Sequence, residues 1–376
     1  MLNRPILLLA LACSIFSLPA EKKSHSQKKE ASSLHPVGFS LREFPAPADY
    51  NWRGSENKVL SGVVWYPAES GMDEKDVLIG PPGAPLFDAG RAAKDATFAP
   101  SFDRFPLVAL SHGTGGSAMQ MAWLGTYLAA NGYIAVAVNH PGNNAVTGYT
   151  TQGFVEGWER AKDISTVIDD MLGDPRFGER IDPARIGAAG FSFGGYTMME
   201  LAGGITDFSQ VQTWCHQVKN ACNPPEMPDL MEKFEALQHQ ADIENAIRHA
   251  GDSYRDPRIC AVFAIAPAVA RAFTPESLQR ITIPVDIVAG AGDTIAPPAE
   301  NAEFFARKIP RADLTILPGG VAHYTFLDSG TEDGRKQLPQ FFVDKPGVDR
   351  EAVHAQVAQM AVDFFNRELL ASKKKP

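Results

Sequence analysis

Two kinds of apolar pattern alternate along the chain. The first is short, unbroken and partly β-branched, at 105–111, 134–139, 259–266, 283–290 and 314–317, with a run of small residues at 185–191. Runs of this length, apolar at every position, predict strands buried on both faces. The second pattern has helical spacing. It predicts a helix over about 119–131, stopped by Gly132, and another over 158–172 with Ile164, Val167, Ile168 and Met171 on one face. Residues 196–201 and 350–370 also read as helix. An earlier strand is expected at 59–66, and the Gly-, Pro- and Ala-rich stretch from there to Arg104 reads as loop. Buried strands alternating with helices predict an α/β fold with a mainly parallel sheet and helices on both faces.

Two stretches break this rhythm. Residues 1–20 carry Arg4, an apolar core over 6–18 and Pro19-Ala20, the pattern of a secretory signal too short and interrupted for a membrane span. The competing reading is lipid attachment at Cys13. Residues 21–35 are charged and serine-rich, and read as a flexible spacer. The folded domain is then expected over 36–372. Inside it, 205–257 holds Trp214, Pro224-Pro225 and a polar helix over about 229–250, but no strand-like run. This segment is either surface decoration or a cap over a site.

Composition narrows the partners. A net charge of -9 argues against nucleic acid as the main ligand, and 44% hydrophobic residues suits a globular enzyme. Cys215 and Cys222 are close enough to pair as a disulfide in an oxidising compartment, with Cys260 left as a buried free thiol. No cysteine or histidine pair has zinc-ligand spacing, so neither metal nor cofactor is expected.

The chemistry centres on 185–195, where the small-residue run enters Gly190-Phe191-Ser192-Phe193-Gly194-Gly195 and a helix follows. Strand, sharp turn and helix are the setting in which G-x-S-x-G presents a nucleophilic serine. Its partners should follow in chain order, acid then histidine, at the carboxyl ends of later strands. Asp293, in Gly290-Ala291-Gly292-Asp293, and His323, after Pro318-Gly319-Gly320-Val321-Ala322, occupy those places. Pro267-Ala268-Val269-Ala270 offers no carboxylate, which leaves Asp286 and Asp328 as the other acids to weigh. Two oxyanion donors are expected, the amide of Phe193 and one from His112-Gly113-Thr114-Gly115-Gly116, namely Thr114. His112 itself reads as a packed loop residue, and Asn139-His140-Pro141-Gly142 as wall on the same rim.

These segments, with His323-Tyr324-Thr325-Phe326, resemble the α/β-hydrolase superfamily over about residues 36–370. Within it the chain is similar to bacterial secreted proteins called dienelactone-hydrolase-like, akin to platelet-activating-factor acetylhydrolases. Arg160-Ala161-Lys162-Asp163 and Gly347-Val348-Asp349-Arg350 share in the resemblance. Two departures matter. Dienelactone hydrolases use a cysteine nucleophile, and the acetylhydrolases place their acid one strand earlier, where this chain has Pro267. The resemblance implies an exported hydrolase of small carboxylic esters, with short acyl chains, acting through an acyl-enzyme on Ser192. A peptidase or amidase on the same scaffold, or a silent binding protein, are the alternatives.

Overall fold

The computed structural model describes residues 34–371 apart from 82, 101–103 and 219–221. The signal expected at 1–20, Cys13 and most of the spacer lie outside the described residues. So does residue 372, the expected end of the domain.

The parallel strands are β5 (Phe105–Ser111), β6 (Ile134–Val138), β7 (Ile181–Phe191), β8 (Ile259–Ile265), β9 (Val285–Gly290) and β10 (Ala312–Leu317). Ahead of them come β1 (Val37–Phe44), β2 (Leu60–Pro67), β3 (Lys75–Ile79) and β4 (Phe87–Lys94). With a two-residue strand β11 (Ser329–Gly330), they form an eleven-stranded sheet in the order β10-β9-β8-β7-β5-β6-β2-β1-β4-β11, with β3 hydrogen-bonded to β4. The run β10 to β6 is parallel throughout. β2 joins β6 antiparallel, and β1 joins β2 likewise.

The middle of the sheet is buried on both sides. Along β5, Leu107 and Ala109 pack into one core while Val108 and Leu110 pack into the other. The first core takes the apolar stripes of α2 (Glu159–Gly173) and α3 (Phe193–Ala202); the second takes α1 (Ala122–Ala130) and α7 (Arg350–Phe365). This two-sided demand is why the strand sequences are apolar at every position rather than at alternate ones.

Three expectations need correction. The stretch before Arg104 is not all loop: β3 and β4 lie there. Their burial is only partial, because they form the wet end of the sheet, and without a clear apolar alternation their sequences did not read as strands. The polar helix of 229–250 is two helices, α5 (Leu230–Leu237) and α6 (Ala241–Arg248), separated at Gln238–Gln240, and an unanticipated α4 (Phe208–Gln217) precedes them. Asp207 starts α4 by accepting the Ser209 amide at 3.0 Å. Cys260 is free, as expected, but half-buried at the bottom of β8 rather than buried. Among the described residues no helix is long and apolar enough to cross a membrane.

Candidate active site

β7 ends at Phe191 and α3 begins at Phe193, so Ser192 alone makes the corner, at φ 55° and ψ -116°. A side chain in this conformation costs about 1–3 kcal/mol and persists only where neighbours hold it. Here they do. The Ser192 amide donates to Ile265 O at 2.9 Å, and its carbonyl accepts from the Ala268 amide at 3.1 Å. The end of β8 thus clamps the corner. The glycines are required by close approach: a methyl on Gly194 would strike the Ser111 carbonyl oxygen, and one on Gly195 would lie 2.7 Å from Pro267.

His323 Nε2 lies 2.8 Å from Ser192 Oγ, and its Nδ1 lies 2.7 Å from Asp293 Oδ2. All three residues are buried. Asp293 cannot turn away, because its Oδ1 accepts the Ile295 and Ala296 amides at 2.9 and 2.8 Å. A carboxylate fixed in this way holds the proton on Nδ1, which leaves Nε2 able to accept the Ser192 proton. The acid and histidine loops are also tied together, Gly292 N to Val321 O at 2.8 Å. Asp286 sits within β9, and Asp328 accepts the Trp123 amide at 3.2 Å; among the described residues neither hydrogen-bonds to His323.

Above these groups opens a cavity of about 700 Å³. Thr114 and Phe193 border it. In the glycine loop the Gly115 amide donates to Asn143 Oδ1 at 2.8 Å and the Gly116 amide to Gly113 O at 3.3 Å. Among the described residues the Thr114 and Phe193 amides have no such acceptor, the state required of an oxyanion donor. Phe208, Trp214, Cys215, Cys222 and Phe234, all from 205–257, form one side of the cavity, and Cys215 and Cys222 are joined by a disulfide.

A second chain of groups beneath the site was missed from the sequence. Asp163 Oδ2 lies 2.7 Å from His140 Nδ1, and His140 Nε2 lies 2.8 Å from Ser111 Oγ. The distances match those at Ser192, yet these side chains are sealed in the core and border no part of the cavity. His140 is therefore not wall, as expected, but a member of a buried network. Arg53 donates to Asp163 Oδ2 at 2.7 Å. Arg160, itself buried, donates to the His112 carbonyl and reaches Ser111 Oγ and Asn143 Oδ1, each at 3.3 Å. Its guanidinium also lies 4.8 Å from the centre of the Phe193 ring. Burial, reinforced by Arg160, pushes His112 and His140 well below the ordinary histidine range, so both are neutral. Burial also pulls Arg160 down to about 9, which leaves it cationic at neutral pH. The only signal in the sequence was the pair Arg160 and Asp163 in an otherwise apolar helix face.

In overall shape the chain superposes on a ferulic acid esterase from Streptomyces cinnamoneus with a TM-score of 0.60 at 21% identity, over 91% of this chain and 93% of that one. The chain has the α/β-hydrolase fold. Residues 89–169 of this α/β-hydrolase-fold protein match the family model of platelet-activating factor acetylhydrolase, isoform II. Lipase 1 of Moraxella sp. (strain TA144) is 31% identical over 80 residues, 21% of this chain and 22% of that one. Cutinase est1 of Thermobifida alba is 24% identical over 205 residues, 54% of this chain and 47% of the cutinase. The α/β-hydrolase-fold chain thus spans about half, or less, of the length of the curated relatives it matches.

Proposed function

We propose that the protein is an exported serine hydrolase of carboxylic esters. The observation that carries this reading is the continuous relay from Asp293 through His323 to Ser192 at the floor of an apolar cavity. Ser192 Oγ attacks the ester carbonyl while His323 Nε2 takes its proton. The oxyanion is held by the Thr114 and Phe193 amides, and His323 then gives the proton to the departing alcohol. Water, activated by the same imidazole, releases the acid from the acyl-enzyme. Asp293 keeps the imidazole oriented and stabilises its charged form. Segment 205–257 acts as a cover over the cavity, since it supplies one side of it. The names of the relatives, a lipase, a cutinase and a ferulic acid esterase, support small-molecule esters as substrates. The cavity would hold an acyl group well beyond acetate, so chain length is a question for a graded ester panel. Export rests on the pattern of residues 1–20.

The test is Ser192→Ala. Removing one buried oxygen should leave the thermal melt in place or slightly raised, and abolish both ester hydrolysis and fluorophosphonate labelling. A folded variant that still labels would overturn the assignment of the nucleophile.

A further inference from the structure

Among the described residues, Glu226 is the one acid lining the cavity that the relay does not use and that no described cation pairs with. The cavity's other carboxylate outside the relay, Glu300, is paired with Arg271 at 3.3 Å. Glu226 comes from the 205–257 segment, two residues beyond Pro224, and is anchored by its buried neighbour Met227, which packs against Phe154 and Leu230. Its side chain lies over the oxyanion loop: a methyl on Gly115 would come within 2.6 Å of Glu226 Cγ. Tyr149 closes the same corner by donating to Gly115 O at 2.9 Å. The carboxylate is close enough to Tyr149 and Tyr324 to push both phenols up, and close enough to His323 to feel its charge. Burial pushes its own pKa upward, against the pull of His323.

A carboxylate beside an oxyanion loop opposes the negative charge that develops there. Left unanswered, it would weaken the donors of the loop it covers. A substrate that brings a cation to this spot removes the conflict and gains a partly desolvated ion pair.

We propose that Glu226 selects esters carrying an ammonium group on the carbon next to the scissile carbonyl, and disfavours those carrying an anion there. The selection rests on the ester-hydrolase reading of Ser192. Through Glu226, choice of substrate depends on the covering segment, while the chemistry depends on the sheet beneath it. Because the stem of Glu226 packs against Gly115, the ammonium reaches the carboxylate from the cavity side.

The experiment uses 2-substituted ethyl propionates that differ only in the substituent: ammonium (ethyl alaninate), methyl (ethyl isobutyrate) and carboxylate (monoethyl methylmalonate). Assays at pH 6.5 keep the amine charged, since an α-amino group ordinarily titrates at about 7.7–8.0. The wild-type protein should rank kcat/KM as ammonium, then methyl, then carboxylate. In Glu226→Gln, which keeps size and shape, the ammonium-to-methyl ratio should fall about tenfold, with the methyl and carboxylate esters both improved because the charge opposing the oxyanion is gone. A ratio that stays within about twofold of wild type, or three esters that fall together, overturns the proposal. Fluorophosphonate labelling of Ser192 in the same preparations keeps the two readings apart. Labelled protein with unchanged ratios overturns the role of Glu226 alone, and unlabelled wild-type protein overturns both.

Discussion

At the scale of single residues, the site depends on side chains that are prevented from moving. Asp293 spends one oxygen on two backbone amides and the other on His323, so its orientation is set by the loop before any substrate arrives. Asp293→Asn would replace the imidazole's acceptor with an amide able to donate, and favour the wrong tautomer. Turnover should fall by about four orders of magnitude with the fold unchanged, as read by ester kinetics beside a thermal melt. A loss of less than about tenfold would mean that the imidazole is oriented by something else. Ser111 supplies the contrast. It has a histidine at 2.8 Å and an aspartate behind that, but no strained corner, no bordering cavity and a guanidinium on its hydroxyl. Distances alone do not make a nucleophile; access and a free oxyanion pocket do.

At the scale of elements, α2 does two jobs with one sequence. Ile164, Val167, Ile168 and Met171 bury its apolar stripe, while Arg160 and Asp163 reach under the glycine loop. Arg160 holds the loop at two points, through the His112 carbonyl and through Asn143, which in turn holds the Gly115 amide. It also lies over the Phe193 ring, so this one cation touches both segments proposed to supply the oxyanion donors. Arg160→Met should lower kcat about ten- to a hundredfold while KM stays within about twofold, because the loss falls on charge that develops only in the transition state. Arg160→Lys should recover only part of this, since an ammonium lacks the planar fork. Kinetics well below each variant's melting temperature separate this effect from lost stability; an unchanged kcat in folded Arg160→Met would refute it. The sequence was legible where one physical demand acted alone. Apolar runs gave the parallel strands, and glycines at enforced close approaches marked the Ser192 corner. It was illegible where demands conflicted. β3 and β4 are half-wet, so their pattern is diluted, and His140 read as wall although it is sealed inside.

At the scale of the whole molecule, buried ionisable groups set how stability follows pH. Glu200, on α3, accepts from Tyr196 and Thr206 and is pushed by burial from 4.5 to about 8. The folded chain therefore holds this proton more tightly than the unfolded one. Its stabilising contribution is complete below pH 4.5 and drains away as pH rises through about 8. The neutral His112 and His140 act in the opposite sense, since their contribution is present above the ordinary 6.5 and lost as pH falls. Glu200→Gln removes the first effect only. Relative to wild type, the variant should gain stability by up to about 1.4 kcal/mol for each pH unit across the interval between 4.5 and 8, measured by urea unfolding. A difference that does not vary with pH would show that Glu200 is ionised in the folded protein.

The side of the cavity formed by 205–257 is built differently from its floor. Every residue of α3 is buried, whereas α4 has none and α5 and α6 have two each. With so little apolar area to hold them, α4 to α6 should open and close many times for each global unfolding event, and their amides should exchange with deuterated solvent far sooner than those of β7 or α3. The disulfide between Cys215 and Cys222 shortens the free length of chain released by each opening. Warming or mild proteolysis would therefore reach this side of the cavity first, and the selection proposed for Glu226 would be lost while the floor around Ser192 remained intact.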